Sequence, residues 1–155
     1  MPVRVAEPGD LAAVVALIEH EDAVMDPSEV HIGDAHRRAF AAIASDPRNE
    51  LLVLEDEELG VVGCLHLTRI PGLGHGGAER AQLEAVRVRP DLRGRGLGRH
   101  LVTAAIARAR DQGCTLVQLT SNKRRADAHR FYTSLGFDRS HEGFKLDLTR
   151  TDAPA

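Results

Sequence analysis

Aromatic residues are scarce here: no tryptophan, one tyrosine and four phenylalanines, 3% of 155 residues. Single-stranded nucleic-acid platforms stack bases on aromatic rings. The R-G-R-G and K-R-R segments carry charge for such a module, but no aromatics interleave with them and the net charge is −3, which argues against a nucleic-acid partner. Cysteine is nearly absent too. Cys64 and Cys114 are the only two, and each sits in or beside an apolar run. A pair so placed fits a reducing compartment and small core side chains rather than a disulfide framework. No apolar run approaches a membrane span, and the opening M-P-V-R-V has no signal-peptide core, so the expectation is a cytoplasmic chain with no membrane partner. Eight histidines raise the question of a metal. His31 and His36 are five apart, off one helix face, and no H-E-x-x-H or paired-cysteine pattern occurs, so no metal is expected.

What is present is the composition of a globular chain, 43% hydrophobic and 28% charged. The length suits one ordinary domain, with no repeat and no interdomain linker. Hydrophobic periodicity and turn residues predict a short strand at Val3–Val5 and a helix from Leu11. A second helix is expected from a capping Asp34 through Ala44, followed by strands over Leu51–Leu54 and Gly60–Ile70. After the loop Pro71–Gly77 come a strand over Glu79–Val88, a helix Gly98–Gln112 stopped by Gly113, a strand Leu116–Thr120 and a helix Ala126–Leu135 stopped by Gly136. Phe137–Asp138 and Phe144–Leu148 are expected to pair as terminal strands, and 149–155 to fray. That order is a mixed α/β domain.

The most informative stretch is E-A-V-R-V-R-P-D-L-R-G-R-G-L-G, residues 84–98. A strand ends at Arg89-Pro90, and then Gly94, Gly96 and Gly98 alternate with Arg93, Arg95, Leu97 and Arg99 at the start of a helix. Glycines let backbone N–H groups approach an anion, a helix N-terminus adds partial positive charge, and arginine adds forked donors. The turn is built for a phosphate. It is not a P-loop, because no Lys-Ser or Lys-Thr follows, and it is not G-x-G-x-x-G, because Arg99 takes the third glycine position. The spacing present is Arg93-x-x-Gly96-x-Gly98. Downstream stands Ala128-His129-Arg130-Phe131-Tyr132-Thr133-Ser134-Leu135-Gly136-Phe137.

The first segment resembles the [QR]-x-x-G-x-[GA] pyrophosphate motif of the GNAT superfamily of N-acetyltransferases, and the second resembles that family's A-x-x-F-Y-x-x-L-G-F. The match is good over roughly residues 50–148; before that only the order of elements agrees. The resemblance implies a single GNAT domain over 1–148. Its fold would be α/β, a twisted, mainly antiparallel mixed sheet flanked by helices, with splayed fourth and fifth strands that admit acetyl-CoA. It implies pantetheine contacts at Val86, Arg87 and Val88, and pyrophosphate contacts at Arg93, Gly94, Arg95, Gly96, Leu97, Gly98 and Arg99. It implies Tyr132 as general acid. Glu84, two residues before the pantetheine contacts, becomes the candidate general base, ahead of His75 and His129. Many members have asparagine seven residues before the tyrosine. Arg125 stands there in this chain, and Asn122 is the nearest asparagine, so either residue is a candidate cofactor contact. The expected reaction is direct attack of a primary amine, on a small molecule or a peptide, on acetyl-CoA in a ternary complex, and the family's habit implies a homodimer. The acidic run Glu19–Glu29 hints at a cationic acceptor. The alternative on the same fold is a non-catalytic acyl-CoA-binding regulator, which would need the phosphate turn but neither Glu84 nor Tyr132.

Overall fold

The computed structural model describes residues 1–152 and 154, which form two compact units, Met1–Leu119 and Thr120–Ala155. The first unit is an open five-stranded sheet in the order β1-β2-β3-β4-β5. Its strands are β1 Val3–Val5, β2 Asn49–Asp56, β3 Gly60–Ile70, β4 Arg80–Val88 and β5 Leu116–Leu119. The first three pairings are antiparallel, and β4 pairs with β5 in parallel. A parallel return needs a crossover, supplied by helix α3, Leu97–Asp111. The expected mixed, mainly antiparallel sheet flanked by helices is present.

Alternation along β2 and β3 divides the core into two layers. Leu51, Val53 and Cys64 point to one face and pack with Val14 and Leu17 of α1, Leu11–Glu19, and with Phe40 and Ile43 of α2, Asp34–Ser45. Leu52, Leu54, Leu65 and Leu67 point the other way, and each is fully buried. On that face α3 lays down Leu101, Val102, Ala105 and Ala109, one apolar stripe at helical spacing. Each buried leucine contributes about 1.5–3 kcal/mol by leaving water. Gly63 marks where the layers pinch, since a Cβ there would meet the Arg87 carbonyl oxygen at 3.1 Å and Leu54 Cβ at 3.3 Å. Outside the core, Arg4 of β1 bridges Asp10 and Glu55 at 2.7 and 2.8 Å, and its hydrogen bonds hold both carboxyls below their usual range.

The helix starting at Asp34 is preceded by Gly33 as its capping residue, and it runs to Ser45, one residue beyond the expected end. Strand β2 is longer than Leu51–Leu54 because a full ladder with β3 recruits its polar ends. Helix α3 ends before Gly113, whose φ of +89° suits glycine as a stop.

The second unit holds helix α4, Ala126–Ser134, followed by Gly136 at φ +96°. The expected terminal strands do not form: 137–148 contains no strand. The F-K-L-D-L alternation has strand character, but a strand needs a ladder, and two residues at Phe137–Asp138 supply almost none. Phe144, Leu146 and Leu148 are accordingly exposed. The tail expected to fray includes residues 153 and 155, which lie outside the described residues.

Candidate active site

The chemistry-bearing residues of the first unit collect along the C-terminal half of β4 and the turn after it. β4 and β5 pair only from Arg80–Leu116 to Leu83–Leu119. Beyond that point Glu84–Val88 have no β5 partner among the described residues. This is the gap expected between the fourth and fifth strands. The other side of β4 is irregular in the same place. Cys64 pairs with Arg87 and His66 with Glu84, so Leu65 alone faces both Ala85 and Val86. This is a β-bulge, and Ala85 carries it at φ +51°, an uncommon backbone conformation for alanine. Bulges re-aim the following residues, and here they are Val86, Arg87 and Val88. The Ala85 carbonyl accepts from the Cys64 thiol at 3.5 Å.

The turn after β4 winds through Pro90–Leu92, then Gly94 at φ +78° and Gly96 at φ +79°, before α3 begins at Leu97. A Cβ built on either glycine meets no protein atom within 4 Å, so the surface over the turn is open. The first N–H groups of α3, from Leu97 and Gly98, have no intrahelical acceptor. A glycine turn at a helix start, flanked by arginines, has the geometry and charge to receive an anion.

Two arginines of the site are already engaged. The Arg93 guanidinium donates to the carbonyls of Val88 and Glu21 and lies 3.7 Å from the Asp22 carboxylate. Arg87 donates to the Val86 carbonyl at 3.0 Å. Its Nε approaches the Glu21 carboxylate to 2.9 Å as an ion pair, without the alignment of a hydrogen bond. Farther along the run, Glu19 binds His36 at 2.7 Å and Asp26 accepts from Ser28 at the start of a short turn of helix. Much of the acidic run is thus spent on partners within the protein, which removes the support it lent to a cationic acceptor.

Glu84 is exposed, and its carboxylate accepts from Gln82 at 2.9 Å. Gln82 in turn accepts from Gln118 of β5 at 3.0 Å. Across the ladder, His66 is bonded to Asn49 at 2.7 Å, and the Thr68 hydroxyl donates to the same Asn49 oxygen at 2.9 Å. Register places Asn49, Thr68 and Gln82 in one row and His66 and Glu84 in the next, on the α1–α2 face. This polar patch escaped the sequence reading. Its signal was the alternation Cys64, His66, Thr68, which puts polar groups where an inward-facing apolar pattern should continue. Burial holds the His66 imidazole below its usual pKa, partly opposed by the field of Glu84.

Neither cysteine suits covalent catalysis. Burial pushes the Cys64 thiol up to about 12, and Cys114 is also raised, chiefly by burial. Only a thiolate is a competent nucleophile. Among the described residues no group of three or more His, Cys, Asp or Glu is arranged to hold a metal.

In the second unit, Tyr132 lies on α4 between two rings, edge-on to Phe131 at 5.1 Å and to Phe137 at 5.8 Å between centroids. The Asn122 side chain accepts from the Arg124 amide, and its carbonyl accepts from the Arg125 amide and from His129. Arg125 precedes the first turn of α4. His129 meets that carbonyl through Nε2 at 2.8 Å, and His75 lies in the loop between β3 and β4 at φ +52°.

Comparison with known proteins bears on this arrangement directly. An aminoalkylphosphonate N-acetyltransferase of Salmonella typhimurium is 36% identical over 119 residues, 74% of this chain and 73% of that protein. A glucosamine 6-phosphate N-acetyltransferase of Trypanosoma brucei brucei is 30% identical over 150 residues, 96% of each chain. A crystal structure described as a transcriptional regulator from Bacillus halodurans superposes with a TM-score of 0.85 at 40% identity, covering 94% of this chain and 98% of that one. Residues 15–137 match the acetyltransferase (GNAT) family. With its sheet, its glycine–arginine turn and this match in agreement, the chain belongs to the GNAT family of acetyl-CoA-dependent N-acetyltransferases.

Proposed function

We propose that the protein transfers the acetyl group of acetyl-CoA to the primary amine of a small molecule, within a ternary complex. The observation that carries this reading is the bulged, half-unpaired end of β4 leading straight into the glycine–arginine turn. The two curated relatives described above are named for small amines bearing a phosphonate or a phosphate, which favours a small molecule over a peptide as acceptor.

Bound acetyl-CoA supplies an activated thioester carbonyl, and the protein has four tasks around it. Backbone groups of Val86, Arg87 and Val88 pair with the pantetheine amides as an added strand would. The turn from Arg93 to Arg99 neutralises the pyrophosphate, with Asn122 and Arg125 as further cofactor contacts. The Val86 amide donates to the oxygen on which negative charge develops. Glu84 accepts the proton that the acceptor ammonium must lose, directly or through water, and Tyr132 protonates the departing thiolate. With both thiols held protonated, no acyl-enzyme is needed.

Glu84→Gln keeps the shape of the side chain and removes the base. Turnover is expected to fall most at low pH, where more of the amine is protonated. A wild-type pH–rate profile in the variant would remove Glu84 from this role. The protein is further proposed to be cytoplasmic and to work as a homodimer. Sedimentation at micromolar concentration is expected to show a dimer, and a monomer alone would overturn that part.

A second reading has one observation in its favour, the 40% identity to the structure described as a transcriptional regulator. A non-catalytic acyl-CoA-binding protein would bind CoA and release no thiol. A thiol-release assay with acetyl-CoA and a panel of small amines separates the two readings, and release is expected.

A further inference from the structure

The His66 side chain is held in one tautomer by a chain of hydrogen bonds with only one consistent direction. It begins at Asp46, just beyond α2, whose carboxylate can only accept. Asn49 faces it at 3.1 Å with its amide nitrogen, so the Asn49 oxygen must point the other way. That oxygen receives the Thr68 hydroxyl at 2.9 Å and stands 2.7 Å from His66 Nε2. Two lone pairs do not meet at that distance, so Nε2 carries the hydrogen and donates it to Asn49. The lone pair is therefore on Nδ1, and Nδ1 has no hydrogen-bond partner among the described residues. A half-buried imidazole with one nitrogen locked by a neutral amide and the other left as a bare acceptor is a positioned base. Its neighbour across the β3–β4 ladder is Glu84.

We propose that His66 is a second proton acceptor of this site, taking through Nδ1 the proton that Glu84 draws from the acceptor amine, with Asn49 and Asp46 as its positioning residues. The proposal rests on the acetyltransferase reading and extends it. A carboxylic acid is a poor resting place for an amine's proton, and an ordinary imidazole is about two pKa units more basic, a margin that burial of His66 narrows. Overall, R–NH3+ and acetyl-S-CoA give R–NH-acetyl, CoA-SH and one proton. The first proton leaves the ammonium for the Glu84 carboxylate, passes through water to His66 Nδ1, and goes from the imidazolium to solvent. The free amine forms the C–N bond as the C–S bond breaks. Its second proton is lost as the amide forms, balancing the one taken up by the thiolate.

On the same face as His66, Arg87 of β4 stands beside Cys64 and is paired with Glu21. Glu84 faces His66 from β4 and favours the imidazolium, and Asp46 acts through the Asn49 amide. On α1, packed against β3, the terminal Glu19 is bound to His36. On α3, packed on the opposite face, Arg108 is bound to Glu50. Burial outweighs Glu84, so His66 stays neutral to a lower pH than an ordinary histidine. The neutral form is the base, so activity through His66 is present above its lowered pKa and is lost as pH falls through it.

Two measurements test the proposal. Nitrogen-15 NMR of the wild-type imidazoles needs no turnover. It is expected to show His66 with its hydrogen on Nε2 and a midpoint below about 6.5. A hydrogen on Nδ1, or a midpoint at or above that value, overturns the proposal. Kinetics of His66→Gln, which keeps a donor toward Asn49 and removes the base, is expected to show kcat/KM down by about tenfold, less than the ~10² of a sole general base because Glu84 remains. The acid limb of its pH profile should move, with CoA affinity unchanged. A variant with wild-type rate and profile overturns the role of His66 alone. A wild type that acetylates no amine of a broad panel overturns the acetyltransferase reading and this role together.

Discussion

Tyr132→Phe is expected to turn over roughly 10²-fold more slowly than the wild type while staying folded and binding CoA equally well. The variant keeps the ring, and with it the edge-on contacts to Phe131 and Phe137 that hold the residue on α4. It removes only the hydroxyl. A phenol with a pKa near 10 is still protonated at neutral pH and can give its proton to a departing thiolate. If the residue were there for packing alone, the same change would leave turnover nearly intact. Steady-state rates beside melting curves and CoA titrations decide the matter. Full activity with unchanged melting ends the general-acid role and leaves the phosphate turn as it stands.

Gly96→Val should weaken CoA binding by about 10²–10⁴-fold. Two charge-assisted hydrogen bonds lost from the turn, at about 1.5–3 kcal/mol each, account for that range at about 1.4 kcal/mol per factor of ten. Gly96 sits at φ +79° at the mouth of α3, where a Cβ would project into open space rather than into protein. The folded chain has room for valine there, so the steric loss falls on whatever lies over the turn. The positive φ adds a cost of about 1–2 kcal/mol to folding, which lowers the melting temperature without abolishing the fold. Calorimetry of CoA binding to the folded variant is the measurement, and unchanged affinity would show that the pyrophosphate is held elsewhere.

How much of this was legible in the sequence differs from element to element. Strand β3 and helices α3 and α4 were readable within a residue or two, because each has the period of its own structure and a glycine or turn at its end. The glycine–arginine turn at the start of a helix was readable because glycine spacing and helix start are local properties. The terminal hairpin was misread for the converse reason. The alternation of Phe144, Leu146 and Leu148 is local, but a strand exists only where a partner completes its ladder, and none forms in 137–148. The acidic run was legible as a cluster of charge, but its partners were not. Its charges do face solvent, and Glu21 and Asp22 also meet Arg87 and Arg93 from more than sixty residues away.

The sequence alone determined the family, the order of elements through α4 and the glycine–arginine turn, since each is written in residues adjacent along the chain. Only the tertiary structure decided how the residues of β4 are presented and what surrounds Glu84. The bulge at Ala85 depends on the register between two strands, and register is a property of the pair. The Asp46–Asn49–His66 chain depends on β2 and β3 lying side by side, which brings residues 17 positions apart within 2.7 Å. Periodicity reports which face a residue occupies. It carries no information about the neighbour that a hydrogen bond needs, because that neighbour is chosen by the fold.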